Sequence, residues 1–327
     1  MLTERSLPSQ DTSRLKISHD KNVGGLHPLL KVEGENGTKS IPILSVREKA
    51  HHEAIANAMV SGDAVAFEVG VVGLMIAVGD KRLGGNAWKT FWEVKKGRAP
   101  EDKVPFMMLP EDHDKVVDFT KIHEDFQFLK DAEARKKFFG ALPFHTILPI
   151  REDNESLNRN AFVTTPEETL KKPADQRLSE STVCIYWQGG DTDWRRIAEL
   201  AKKINPDVYL GITSLNEHGK PSPWNFSELL KHIEDGRGKE LNHIVQDPVI
   251  AKADIKSSHT QVRVPLKGEK PAIIIVRKGP ISADTINKFT GFPVRTLESA
   301  KLASRGHSPD VSLDERILEH LQKVNRA

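Results

Sequence analysis

The chain has 327 residues, 38% of them hydrophobic and 29% charged, with a formal net charge of +2. This balance excludes a disordered chain and fits a globular protein of one large or two small domains. The near-neutral charge gives no global electrostatic case for nucleic acid, and the single cysteine, Cys184, excludes an intrachain disulfide.

In chain order, residues 1–40 are expected to form a polar arm broken by Gly24, Gly25, Gly34 and Gly37. The first residues lack the apolar core of a signal peptide. The longest apolar stretch, 69–78, contains two glycines and is too short to span a bilayer. A cytoplasmic setting without membrane contact is the expectation. Helical spacing of Ala54, Ile55, Ala58 and Met59 predicts a helix over 48–59, ended by Ser61-Gly62-Asp63, with a strand over 64–68. A second helix is predicted over 87–96. A short buried strand follows over 104–109, then helices over 110–117 and 131–139 and a strand over 144–150. Residues 151–180 are polar and contain Pro166 and Pro173, and read as a long surface loop or insertion. Beyond them come a strand over 182–187, a helix over 191–204, a strand over 208–212 and a helix over 224–234. Segments 261–264 and 272–276 read as two strands joined by the turn Lys267-Gly268-Glu269-Lys270. Helices over 282–288 and 313–324 close the chain. Alternating strands and helices predict an α/β fold, and the late hairpin predicts a mixed sheet.

Two polar clusters carry the chemistry. Lys96-Gly97-Arg98-Ala99-Pro100, followed by Lys103 and Pro105, leaves a predicted helix. A lysine point charge and an arginine fork suit phosphate or carboxylate, although a basic helix end also complements the macrodipole. Thr213-Ser214-Leu215-Asn216, continuing to Pro221-Ser222-Pro223, leaves a predicted strand. Ligands of open α/β sheets bind at carboxyl ends of strands, where hydroxyls and an amide can hold phosphate or ribose. An ordinary polar turn has the same composition. Cys184 lies in an apolar run and reads as a structural thiol. His51 and His52 are neighbours on a helix and point to different faces, and His113, His123 and His145 lack matching carboxylate spacing. All read as structural, and no metal site is expected. Trp88 and Trp92, four apart, read as core packing beside a local basic patch.

In order, the two clusters resemble the YrdC-like family of threonylcarbamoyl-AMP synthases, which includes the YciO type. Lys96-Gly97-Arg98-Ala99-Pro100 is similar to its lysine-x-arginine-proline segment, and Thr213-Ser214-Leu215-Asn216 to its threonine-serine-alanine-asparagine segment. Pro143-Phe144-His145-Thr146, Ser258-His259-Thr260-Gln261-Val262 and Arg277-Lys278-Gly279 resemble three further family fragments, and the match runs from about 42 to 282. The resemblance departs at 67–74, where glycine and leucine survive but the family's hydroxyls and aromatic do not. There Glu68 would repel a substrate carboxylate. It departs again at Tyr186, which stands in place of a central arginine for which Arg195 or Arg196 could substitute.

The resemblance implies a twisted mixed sheet, parallel and antiparallel, with flanking helices around a concave nucleotide-binding cavity. It implies a polar arm over 1–40, a YrdC-like domain over 41–295 and a C-terminal helical extension over 296–327. It further implies ATP with magnesium, bicarbonate as co-substrate and a small amino acid as acceptor, with adenylyl transfer releasing pyrophosphate. The partner would be transfer RNA or double-stranded RNA. Lys96 and Arg98 would be catalytic and nucleotide-binding. Thr213, Ser214, Asn216, Ser258, Thr260 and Arg277 would complete the nucleotide pocket. A non-catalytic relative that binds RNA or nucleotide, and a carbamoyl-adenylate enzyme with a different acceptor, stand as alternatives.

Overall fold

The computed structural model describes residues 16–20, 28–34, 37–68, 74–78, 103, 105–108, 115–123, 126, 130–131, 144–153, 159–187, 192–206, 210–215, 223, 225–236, 241–248, 259–279 and 281–302. The predicted helices over 87–96 and 313–324, and nearly all of that over 131–139, lie outside these residues.

The strands are β1 Lys16–Asp20, β2 Leu29–Gly34, β3 Gly37–Ser45, β4 Val65–Glu68, β5 Leu74–Val78, β6 Phe106–Met108 and β7 Phe144–Pro149. They continue with β8 Val163–Thr164, β9 Thr182–Trp187, β10 Leu210–Ser214, β11 His243–Gln246, β12 Thr260–Arg263, β13 Ile273–Lys278 and β14 Val294–Leu302. The helices are α1 His52–Ser61, α2 Val116–Phe119, α3 Arg159–Phe162, α4 Thr192–Ile204, α5 Phe226–Glu234 and α6 Ala283–Thr290. Hydrogen bonding orders the strands β1-β2-β3-β11-β4-β5-β10-β6-β9-β7-β12-β13-β14, with β8 on β9. The sheet is mixed, as expected: β3/β11, β4/β11, β6/β9, β7/β12 and β13/β14 are parallel, while pairs such as β4/β5, β5/β10, β10/β6 and β12/β13 are antiparallel.

Each strand face buries a different layer. Val65 and Phe67 of β4 pack with Ile55 and Met59 of α1 and Trp194, Ile197 and Ala201 of α4. Ala64 and Ala66, one residue out of phase, pack on the other side with Leu229 and Ile233 of α5 and Ile286 of α6. Strand alternation alone dictates this split. Helix ends are fixed locally. Asn225 Oδ1 accepts from the Glu228 backbone N–H at 2.9 Å, and Ser282 Oγ from that of Thr285 at 3.1 Å. Replacing Ser282 by alanine is expected to cost about 1 kcal/mol in denaturant unfolding through loss of that cap.

Three expectations are corrected. The supposed polar arm contains β1 and β2 and leads into β3, an antiparallel meander. Its alternation was the missed signal: Leu30 and Val32 are buried on β2, and Ile41 and Ile43 on β3. Segment 151–180, expected as a loop, holds α3 and β8, buries Phe162 and Thr169, and ties Asp175 and Gln176 to Ser299 of β14. Residues 296–302, assigned to a helical extension, belong to β14, which pairs with β13. Among the described residues no helix is long and apolar enough to cross a membrane.

Candidate functional site

Of the residues singled out from sequence, Lys96, Arg98, Asn216 and Ser258 lie outside the described residues. The strands that flank the two polar clusters are direct neighbours. β10 and β6 pair antiparallel, Leu210 opposite Met107 and Gly211 opposite Phe106. The pairing extends outward, because the Ile212 backbone N–H donates to the Pro105 carbonyl at 3.0 Å. The chain entering β6 and the chain leaving β10 therefore meet at one shared end of these two interior strands. Lys103, just before β6, forms an ion pair of 2.9 Å with Glu168.

Alternation divides the other named residues between the faces. Leu210 and Ile212 belong to the layer under α1 and α4, so Ser214 shares that face and the buried Thr213 takes the opposite one. Thr260 lies on the α5 and α6 side with Val262, fully buried. Its hydroxyl donates to the Ile281 carbonyl at 3.1 Å and accepts from the Ile281 N–H at 3.0 Å, so it pins the turn before α6. Arg277 would follow Ile273 and Ile275 to that same side, but a bulge shifts the register and sets it opposite Gln261. Re-aiming one side chain is what such a bulge does. The structure thus joins Arg277 to a cluster the sequence did not reveal.

That cluster is built by neighbouring strands β9, β7, β12 and β13. Register places His145 opposite Tyr186 and opposite Gln261. The rings of His145 and His259 stack with centroids 4.9 Å apart, and Tyr186 meets both edge-on at 5.4 and 5.1 Å. Arg277 donates from Nε and Nη2 to the His259 carbonyl at 3.3 and 3.1 Å. Cys184, half-buried, accepts from Gln261 Nε2 at 3.1 Å and lies 3.9 Å from His145 Nδ1. Burial, then neighbouring His259 and Arg277, holds the His145 pKa well below the usual imidazole range, while burial and Arg277 push that of His259 to about 3. Both rings are neutral near pH 7. His145 Nε2 and both nitrogens of His259 are buried without a hydrogen-bond partner. Desolvation, then Asp247, raises the Tyr186 pKa, so it stays a phenol. Arg195 and Arg196, candidates to replace the family's central arginine, are exposed on α4, with Arg196 paired to Glu199 at 3.1 Å.

A second polar group lies where parallel strands β4 and β11 end, the usual place for ligands in such sheets. Glu68, the last residue of β4, is 3% exposed and faces α5. It accepts from the backbone N–H of Asp247 at 3.1 Å and from that of Phe226 at the start of α5. Burial raises its pKa to about 7 and Asp247 adds to the rise, against the lowering by these two bonds. Beside it, a cavity of about 210 Å³ is lined by Glu68, Asn225, Phe226, Ser227, Gln246 and Pro248. On the other side of the sheet, Asp247 is fully buried and takes two bonds from Arg47, at 3.0 and 2.6 Å. Arg47 also reaches Asp193 of α4 at 3.2 Å. No motif marked Arg47 or Asp247, since they are 200 positions apart. His51 and His52 are structural, as expected, and more deeply buried than a surface or partly buried position: Ser45 N–H donates to His51, and His52 Nε2 bonds the Val46 carbonyl. A larger open trough of about 720 Å³ beside α2 carries charges that offset one another in pairs such as Arg151–Asp153 and Lys121–Glu152.

Among the described residues, no group of three His, Cys, Asp or Glu side chains is placed to hold a metal ion. No family model and no curated protein matches the chain. Among solved structures, the crystal structure of T. kodakarensis HypF is similar over 71% of this chain, at 12% identity and a TM-score of 0.40. The chain spans 24% of that chain's length, and at this score the likeness assigns neither fold nor function.

Proposed function

We propose that the chain binds ATP at the strand end shared by β6 and β10 and uses it, with bicarbonate and an amine, to form a carbamoyl-adenylate. The observation that carries this reading is the bond from the Ile212 N–H to the Pro105 carbonyl. It supports one cradle for two clusters more than a hundred positions apart, because Pro105 follows Arg98 by seven positions and Ile212 precedes Ser214 and Asn216 by two and four. The strands next to the other family-like fragments, β7, β12 and β13, continue the same run of neighbours through β9. A concave YrdC-like cavity between these strands is part of the proposal.

In the reaction, a carbamate oxygen attacks the α-phosphorus and pyrophosphate leaves with the bonding pair. Lys96 and Arg98 would neutralise the charge that builds on the phosphates. A well-placed donor of this kind is worth about 2.7–4 kcal/mol of transition-state stabilisation. The double variant Lys96→Ala, Arg98→Ala is expected to abolish ATP binding in titration calorimetry. Unchanged affinity would remove this strand end as the site. Pyrophosphate release measured with ATP, bicarbonate and a panel of amines then identifies the acceptor. Threonine-dependent release supports the synthase reading in full. An absence of release, with RNA retained in a gel shift that weakens as salt rises, favours the non-catalytic relative.

A further inference from the structure

We infer that the cavity between the carboxyl ends of β4 and β11 and the first turn of α5 binds a small organic cation, a primary ammonium, with Glu68 as its counter-charge. The cavity is about 210 Å³, below the range of drug-sized sites and suited to a few heavy atoms. Among the described lining residues Glu68 is the one ionisable side chain; the others offer the amides of Gln246 and Asn225, the Ser227 hydroxyl and the apolar Phe226 and Pro248.

The chemistry of the ligand follows from how Glu68 is held. A helix N-terminus attracts an anion, and here Glu68 already supplies one by accepting the Phe226 N–H. A ligand carboxylate or phosphate in the same space would meet that charge across a buried, poorly screened gap. The carboxylate has room for about four hydrogen bonds, and two are taken by the Phe226 and Asp247 N–H groups. The remaining acceptor capacity suits a donor that brings its own positive charge. Asn225 Oδ1 is committed to the Glu228 N–H, so the main acceptors open to an ammonium are Glu68, Gln246 and Ser227.

The surrounding charges permit this. Asp247 at the end of β11 is held by Arg47, which follows β3, and Arg47 is shared with Asp193 of α4. Tyr186 of β9 stays uncharged. Glu228 in the first turn of α5 bonds Lys231 at 2.8 Å. Among the described residues that line the cavity, none is a cation that neutralises Glu68. Burial holds its pKa near 7, so an ammonium that binds only the ionised form should gain about tenfold in affinity between pH 6 and pH 8.

The site stands on its own geometry and does not require ATP. Resting on the carbamoyl-adenylate reading, it would further name the acceptor as an amine without a carboxylate. The test titrates the full chain with ethylammonium, acetamide and acetate at pH 6 and pH 8 by calorimetry, without nucleotide. Ethylammonium should bind with the tenfold pH gain, and acetate should not bind. Glu68→Gln, which keeps the size of the side chain, should weaken ethylammonium binding at least tenfold at pH 8 and flatten its pH dependence. Ser227→Leu, at an exposed helix position, should block the cavity in a folded protein confirmed by its unfolding midpoint. Equal binding of acetate, or ethylammonium binding that survives both variants unchanged, overturns the proposal. Either outcome is independent of the ATP titration of the Lys96 and Arg98 variant.

Discussion

Replacing Arg47 with alanine is expected to destabilise the protein by about 3–5 kcal/mol, measured by urea unfolding at pH 7. The carboxylate of Asp247 is fully buried and takes two guanidinium bonds, at 3.0 and 2.6 Å. Removing the guanidinium takes both of these bonds from a buried carboxylate, and the desolvation of that ion is then far less compensated. The pair also staples the segment after β3 to the end of β11 and, through Asp193, to α4. The double variant Arg47→Met, Asp247→Leu should recover much of the loss, since an apolar pair of similar volume removes the buried charge as well. By contrast, Arg196→Ala breaks an exposed pair with Glu199 and should cost less than about 1 kcal/mol. A loss below 1 kcal/mol for Arg47→Ala would show that this pair does not anchor the three elements.

The second large effect is a dependence of stability on pH with opposing parts. His145 and His259 have folded pKa values depressed far below 6.5. Below pH 6.5 the unfolded chain therefore binds protons that the native state refuses. Each histidine's contribution is complete above pH 6.5 and is lost as pH falls, by up to about 1.4 kcal/mol per unit. Glu68 acts in reverse, because its folded pKa is raised from 4.5 to about 7. Its contribution is complete below pH 4.5 and is lost as pH climbs through 7. Between about pH 4.5 and 6.5 the two histidines outweigh the one carboxyl, leaving stability that rises with pH by about 1.4 kcal/mol per unit. His243, also depressed by burial, adds in the same sense. Glu68→Gln removes the opposing part, so its slope should steepen to about 2.8 kcal/mol per unit. Urea unfolding at pH 5, 5.5 and 6 reads both slopes, and a wild-type stability that is flat or falls with pH over that range would sink this account.

How much of this was legible depends on the reach of each signal. The helix starting at Phe226, the hairpin of β12 and β13, and the central strands β4, β7 and β9 follow from local apolar spacing and turn residues. β2 and β3 are not legible locally, because Lys31, Glu33, Lys39 and Ser40 make a half-buried alternation read as polar. Residues 294–302 carry no clean period, so the sequence offers no element there and its domain boundary falls inside β14, which is a strand by pairing with β13. Glu68 could be flagged as a lone carboxylate ending an apolar strand. The bonds that set its pKa come from Asp247 and Phe226, far along the chain.

The sequence by itself determined that the chain is α/β with a mixed sheet, and it set out two phosphate-suited clusters in family-like order. Periodicity and turn chemistry are local, so one strand or helix can be read without its neighbours. The tertiary structure alone decided which strands pair, and therefore that Pro105, just before β6, and Ile212 of β10, 107 positions apart, are hydrogen-bonded neighbours. It alone decided that Arg277 crosses to the face of His145 and His259, because a bulge is a property of two strands in register. Burial, charge pairing and the shift of a proton equilibrium arise between distant residues, and no spacing along the chain encodes them.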